Sequence, residues 1–327
     1  MMSRYCFPVL TLLTALVIPA MLRADEVEDQ AIVAIEAMGG RVRRDETKKD
    51  MPVFEVLLVD NDITDADLRI LNQFKQIPYL HVGGDKLTNA GLKELHNVKR
   101  LDMLEISGTQ VTDAGMKEIR QLKHLKALRF DGVQLTDVGL WELRSMLPQL
   151  MLLGLDGAHV TDVGMKELRD LKNLQYLHLK GTMVSDEGLK ELRGLDKLCW
   201  LDLDHASVTG SGLKHLADIQ TLQEVHLHGA KVTDAGLKGI GQMQHLRRLF
   251  IGDTKVTDAG LKELRDLKNL DTLDLTRTKV TNASLKELIT LTSLRTLYVH
   301  ETDVTSDAVM ELRKALPNLQ YVGMSNQ

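Results

Sequence analysis

His226 and His228, two residues apart in the segment QEVHLHGAKVTDAGLKGI, have the types and spacing that could do chemistry. A strand points residues i and i+2 to one face, and two imidazoles there can grip one ion. Asp202 and Asp204 stand 24 residues earlier, His178 lies 24 before Asp202, and His205 follows Asp204 directly. If these segments are neighbouring parallel strands, two histidines and a carboxylate reach one point, a donor set suited to zinc or iron. The same residues also serve as plain cross-strand pairs on a polar sheet face, where alternating His and Asp support each other. HxH on an exposed strand face is a weak signal, so polar cross-strand pairs are expected here, with no metal and no cofactor.

The elements that position these residues are written in the rest of the segment. Its phrase KVTDAGLK recurs along the chain, and alignment on the Thr-Asp pair gives Thr64, Thr88, Thr112, Thr136, Thr161, Ser185, Thr209, Thr233, Thr257, Thr281 and Thr305. The step is 24 residues throughout, except 25 between Thr136 and Thr161. Such self-similarity marks a repeat array in place of a conventional globular core. One clean unit is LDTLDLTRTKVTNASLKELITLTS, Leu270 to Ser293. Counting Leu270 as position 1, Leu273, Leu275 and Val280 at positions 4, 6 and 11 predict a short strand and a turn. Thr281 and Asn282 are good N-cap residues, and Leu285, Leu288 and Leu291 keep one side of a short helix apolar.

These units resemble leucine-rich repeats. The match is to the "L-x-x-L-x-L-x-x-T-x-V-T-D-A-G-L-K-x-L" variety of secreted bacterial repeat proteins, similar also to the ribonuclease-inhibitor-like repeats of F-box proteins, and it covers Val53 to the end. The resemblance implies an α/β solenoid of about eleven 24-residue repeats, with a curved parallel sheet on the concave face and short helices on the convex face. It implies little about function, because members differ in what the concave surface binds. No F-box stands before the repeats, so the ubiquitin-ligase role of those relatives does not carry over. Where many such repeats have Asn or Cys at position 9, this chain has Thr109, Thr182, Thr254, Thr278 and Thr302, or Ala158, Ala206, Ala230 and Val133. The hydrogen-bond ladder at that turn is therefore expected to be partial.

Units at roughly 4.8 Å per strand make a sheet some 50 Å long whose ends need covers. Val27, Ala31, Ile35 and Met38 form an apolar stripe at helical spacing, Gly39-Gly40 stops that helix, and RVRR (41–44) can add a strand. Residues 25–52 are read as this N-terminal cap and 53–327 as the array with a partial closing repeat. ELRSMLPQL (142–150) carries a one-residue extension that ELRKALPNL (311–319) repeats, which suggests a local change in curvature or the joint of two fused arrays. On the helices, pairs such as Asp113/Lys117, Asp162/Lys166 and Asp258/Lys262 at i,i+4 predict a solvated convex face. Trp141 replaces the usual Lys there and either tucks against a neighbouring helix or is an exposed contact.

Function is expected where the units differ. Side chains at positions 3, 5 and 7 point away from the core, and those columns change at almost every step while the core positions barely vary. They collect Tyr176, Trp200, Phe250 and Tyr298 among His178, Lys180, Asp202, Asp204, His226, His228 and Asp274. Aromatic anchors in a polar surround predict a protein-contact patch centred on Trp200.

Composition narrows the classes further. Tyr5 to Leu22 is uncharged and mostly apolar, and 1–24 reads as a secretory signal peptide, with an uncleaved anchor as the alternative. Cleavage after Ala24 removes Arg4 and Arg23 and leaves 39 Lys+Arg against 46 Asp+Glu, a net charge of −7. Nucleic acid and anionic lipid are therefore poor partners. Cys199 would be the remaining cysteine, so packing alone must hold the fold. There is no nucleophile elbow, phosphate loop, zinc-protease motif or cysteine paired with a base, and the DAGL glycines answer to crowding between units. The sequence thus points to a non-catalytic, secreted or periplasmic scaffold for a protein or extended ligand. The rival readings are an envelope-associated or self-assembling array and a metal-binding protein.

Overall fold

Half a repeat cannot bury its own leucines, so each unit folds against the next. In the unit from Leu270 to Ser293 all seven apolar positions, Leu270, Leu273, Leu275, Val280, Leu285, Leu288 and Leu291, are at most 5% exposed. Equivalent residues of every unit join them in one continuous core. The computed structural model describes residues 24–59 and 62–324. The apolar leader segment, Tyr5 to Leu22, lies outside the described residues. No helix among the described residues is long and apolar enough to cross a membrane.

Thirteen strands form a single sheet in sequence order: β1 (Arg41–Arg44), β2 (Val53–Val59), β3 (Tyr79–Gly83), β4 (Met103–Ser107), β5 (Ala127–Asp131), β6 (Leu152–Asp156), β7 (Tyr176–His178), β8 (Trp200–Asp202), β9 (Glu224–His226), β10 (Arg248–Phe250), β11 (Thr272–Asp274), β12 (Thr296–Tyr298) and β13 (Tyr321–Gly323). Only β1 is antiparallel to its neighbour. From β2 onward the register advances one unit per strand without slippage, so Tyr176 faces Trp200, then Glu224, then Arg248. The extra residue between Thr136 and Thr161 is taken up by a 3₁₀ turn, Leu147–Gln149, and leaves the pairing of β5 with β6 untouched. Strands shorten from five residues to three one unit later, at β7. Helix α1 (Ala24–Ala37) buries Ala31 and Ile35 against the first repeat, and Gly39 ends it in a left-handed conformation, φ 80°.

The convex side departs from the sequence reading in two ways. Several of its helices are short 3₁₀ segments, such as Gly164–Leu168 and Gly188–Leu192, while other units of the same length carry a seven-residue α-helix, as at Asp234–Ile240. The aspartates also have another task than pairing with lysine at i+4. Asp162 accepts from the backbone N–H of Ser185 (2.8 Å), from its hydroxyl (2.6 Å) and from the N–H of Gly188 (3.0 Å). Asp113 does the same for Thr136, Asp137 for Thr161, Asp234 for Thr257 and Asp258 for Thr281. The repeated Thr-Asp pair is therefore a rung joining one unit to the next. A Cβ on Gly188 would stand 2.5 Å from Asp162 Oδ1, which is the crowding that keeps that position small.

The turn at position 9 is also better satisfied than the missing Asn suggested. Backbone bonds run from unit to unit, as from Met183 N–H to the Val160 carbonyl (3.0 Å) and from Lys279 N–H to Val256 (3.0 Å). The buried Thr182, Thr254 and Thr278 hydroxyls donate to carbonyls three residues back at 2.6–2.7 Å.

Candidate functional site

The concave columns align as strict neighbours, position 3 through Tyr176, Trp200, Glu224 and Arg248, and position 5 through His178, Asp202, His226 and Phe250. Small Asp202 lies between two imidazoles, so the Trp200 indole leans across it. Its ring centroid lies 4.2 Å from that of His178 and 5.0 Å from that of His226. His226 in turn stacks on Phe250 at 4.3 Å and 20°. Four rings thus run continuously across β7 to β10, with Tyr176 exposed beside them at 41%. Glu224 anchors the row, accepting from His226 Nε2 (2.8 Å) and from Arg248 Nη1 (3.0 Å).

A polar chain approaches the same point from the N-terminal side. Tyr79 donates to Glu105 (2.9 Å), and burial with that carboxylate beside it pushes the phenol up to about 12. Arg129 spans from Glu105 (3.9 Å) to Asp156 Oδ2 (3.4 Å). It can lie over β6 because Gly154 has no side chain; a Cβ there would meet its Cγ at 2.9 Å. Asp156 Oδ2 is 3.8 Å from His178 Nδ1. Burial, reinforced by Arg129 and His226, lowers His178 to about 4, so its ring is neutral at ordinary pH. Burial raises both Asp156 and Asp202, against the pull of Arg129 on the first and of the Asp204 N–H on the second. Chain and ring row meet at an open depression of about 510 Å³ whose lining includes Arg129, Asp156, His178, Lys180, Trp200 and Asp202.

The Leucine Rich repeat profile matches residues 170–192, the unit that holds β7 and the turn after it. An internalin (inlF) of Listeria monocytogenes superimposes with a TM-score of 0.61 at 19% identity, over 91% of this chain and 90% of that one. Its fold is a leucine-rich-repeat solenoid. The present chain has that fold too. Internalin C2 of the same organism aligns with a TM-score of 0.50 at 23% identity, over 65% of this chain and 84% of its own. No curated protein matches the sequence.

On this leucine-rich-repeat sheet the anticipated site residues divide into three groups. Tyr176, His178, Trp200, Asp202, His226 and Phe250 converge, with Lys180 exposed at the margin. Tyr298 belongs to a separate cluster, 5.5 Å from the exposed Tyr321 and 6.3 Å from His300. Asp204, Asp274 and His228 serve the backbone or each other. Asp204 Oδ1 accepts from His228 N–H (2.7 Å), Asp274 Oδ1 from Thr276 N–H (2.8 Å), and the His228 ring meets His205 edge-on at 5.7 Å. The grouping of Asp202 and Asp204 with His226 and His228 around one point does not form, since Glu224 holds His226 and Asp204 faces a backbone amide. The carboxylate that does meet Asp202 and His178 is Asp156, one strand earlier. Arg129, Asp156, Glu224 and Arg248 were legible in the same columns as charged neighbours of the aromatic residues.

Proposed function

We propose that this solenoid is a non-catalytic scaffold that binds a protein or other extended ligand on its concave face. The observation that carries the reading is the ring row His178, Trp200, His226 and Phe250, partly buried on a rigid sheet and bordered by exposed Tyr176 and Arg248. Rigid aromatic surface costs little entropy to bury, and the surrounding charges supply specificity and rate. The leader-like segment at 1–24 supports a secreted or periplasmic setting, and residues 25–52 act as a cap on the array. No nucleic-acid partner is proposed. The test is affinity capture from the native extracytoplasmic fraction with the full chain and, in parallel, a Trp200→Ala, Phe250→Ala variant whose circular dichroism is unchanged. A partner held by the first bait and lost from the second supports the reading; equal capture by both refutes it.

A second reading, self-association through the convex face, has its own observation. Trp141 is 48% exposed rather than tucked away, with the Arg144 guanidinium 3.6 Å above its ring. Val138, three residues before it, and Val163, at the equivalent place in the next unit, are each 61% exposed. A monomer by light scattering at high concentration counts against it.

A further inference from the structure

The depression where the ring row meets the polar chain has a property that the scaffold reading does not require. Asp156, His178 and Asp202 each place a ligand-type atom within 4.8 Å of the other two. They come from three successive strands, β6, β7 and β8, so their separation is fixed by the sheet. Both carboxylates are oriented by the backbone. Asp156 Oδ1 accepts from Lys180 N–H (3.2 Å) and Asp202 Oδ1 from Asp204 N–H (2.8 Å). The second oxygen of Asp156 accepts a long bond from Arg129 (3.4 Å). That of Asp202 receives no hydrogen bond among the described residues, although the residue is only 9% exposed. Outer contacts that fix a carboxylate in this way are what metal ligands need. Trp200 packs on the His178 ring at 4.2 Å and limits its rotation.

We propose that Asp156, His178 and Asp202 form a binding site for one divalent transition-metal ion of the zinc class. One imidazole nitrogen and two carboxylate oxygens suit such an ion, and three protein ligands leave coordination positions open toward the concave side. The local charge favours a cation. Asp131, Asp156 and Asp202 line the depression against Arg129 and Lys180. Arg129 is the opposing charge nearest the site, and at 3.4 Å with a 30% exposed side chain it holds Asp156 weakly and has solvent to turn into. The site does not depend on the concave face binding a protein.

The experiment is calorimetric titration of the chelator-treated full-length protein with Zn²⁺ alone, repeated with Co²⁺ to read the visible bands of a nitrogen-ligated ion. One equivalent should bind, and His178→Ala and, separately, Asp156→Asn should each weaken binding at least about tenfold with unchanged circular dichroism. The His226→Ala, His228→Ala double variant should bind as the parent does. Asp156 is the less buried of the two carboxylates, so its variant keeps the test open if His178→Ala fails to fold. Absence of saturable Zn²⁺ binding overturns the proposal. So does binding that survives both single variants, or that is lost only with His226 and His228.

Discussion

Removing the Asp162 side chain should cut the solenoid's stability at its middle. Its carboxylate receives three hydrogen bonds from the following unit, two from Ser185 and one from Gly188. At about 1 kcal/mol net for each partly exposed bond, Asp162→Ala should cost about 3 kcal/mol. Asparagine is the informative control, because the chain already uses it in this role. Asn89 accepts from Thr112 N–H at 3.0 Å and donates back to the Thr112 hydroxyl at 3.0 Å. Asp162→Asn should therefore keep all three contacts, because the Ser185 and Gly188 N–H groups share Oδ1 and the amide nitrogen in place of Oδ2 can donate to the Ser185 hydroxyl, and should cost about 1 kcal/mol for the lost charge. Urea unfolding followed by circular dichroism gives both values. In a linear array stability is carried by neighbour interfaces, so the alanine variant should also show a shallower or two-step transition as the halves uncouple. Equal loss in the two variants, or loss below about 0.5 kcal/mol in both, would refute the rung as a source of stability.

Two further outcomes follow from the same ladder. Gly210 stands where other units have the ladder aspartate, so Gly210→Asp restores the repeat pattern; it should nevertheless lower the melting temperature. Its φ of 100° disfavours any side chain, and a Cβ would stand 2.6 Å from Gly236 Cα. Asp186 is the titrating case. Burial pushes its carboxyl up, but hydrogen bonds from Thr209, Gly212 and Ser211 more than offset that and hold it below the ordinary value of 3.8. A depressed carboxyl stabilises the fold above the unfolded value and loses that contribution as pH falls through the folded one. Asp186→Asn should thus lower the urea midpoint clearly at pH 7, and the gap to the parent should narrow at pH 3.

The fold and the face were legible because both follow from strict periods. A 24-residue step with leucine at fixed positions leaves one register that buries them, and the alternation of two along a strand then assigns every concave residue. The ladder was hidden by a local competitor. Asp162 and Lys166 lie one helical turn apart, so the sequence offers a partner four residues away, whereas the true one, Ser185, is 23 away. The signal that could have revealed it is the substitution pattern, since Asn89 and Asn282 replace Asp while the next unit keeps its Thr. The metal-type cluster was misplaced for a related reason. Histidine spacing drew attention to β9 and the turn after it, while side-chain lean decides which neighbours meet. Trp200 lies over Asp202 toward both imidazoles, and Glu224 takes His226 out of reach.

The aspartates of the concave face therefore have to be read twice. In β3 to β6 the residue at position 7 lies within the strand, and its N–H belongs to the sheet. From β7 onward strands end after position 5, and acidic side chains take over that amide at several units. Asp156 accepts from Lys180, Asp202 from Asp204, Asp204 from His228 and Asp274 from Thr276. Reversing the charge at Asp202 and Asp204 would then break backbone contacts as well as alter the surface, and loss of binding in that variant would not locate a partner. Tyr176, Trp200 and Arg248 have no such duty: they stand at position 3, where the sheet itself satisfies the backbone, and their side chains face outward. Side chains can vary there without a cost to the array, so aromatic and charged residues can change from unit to unit in that column while the leucines beneath them do not, as the proposed recognition role requires.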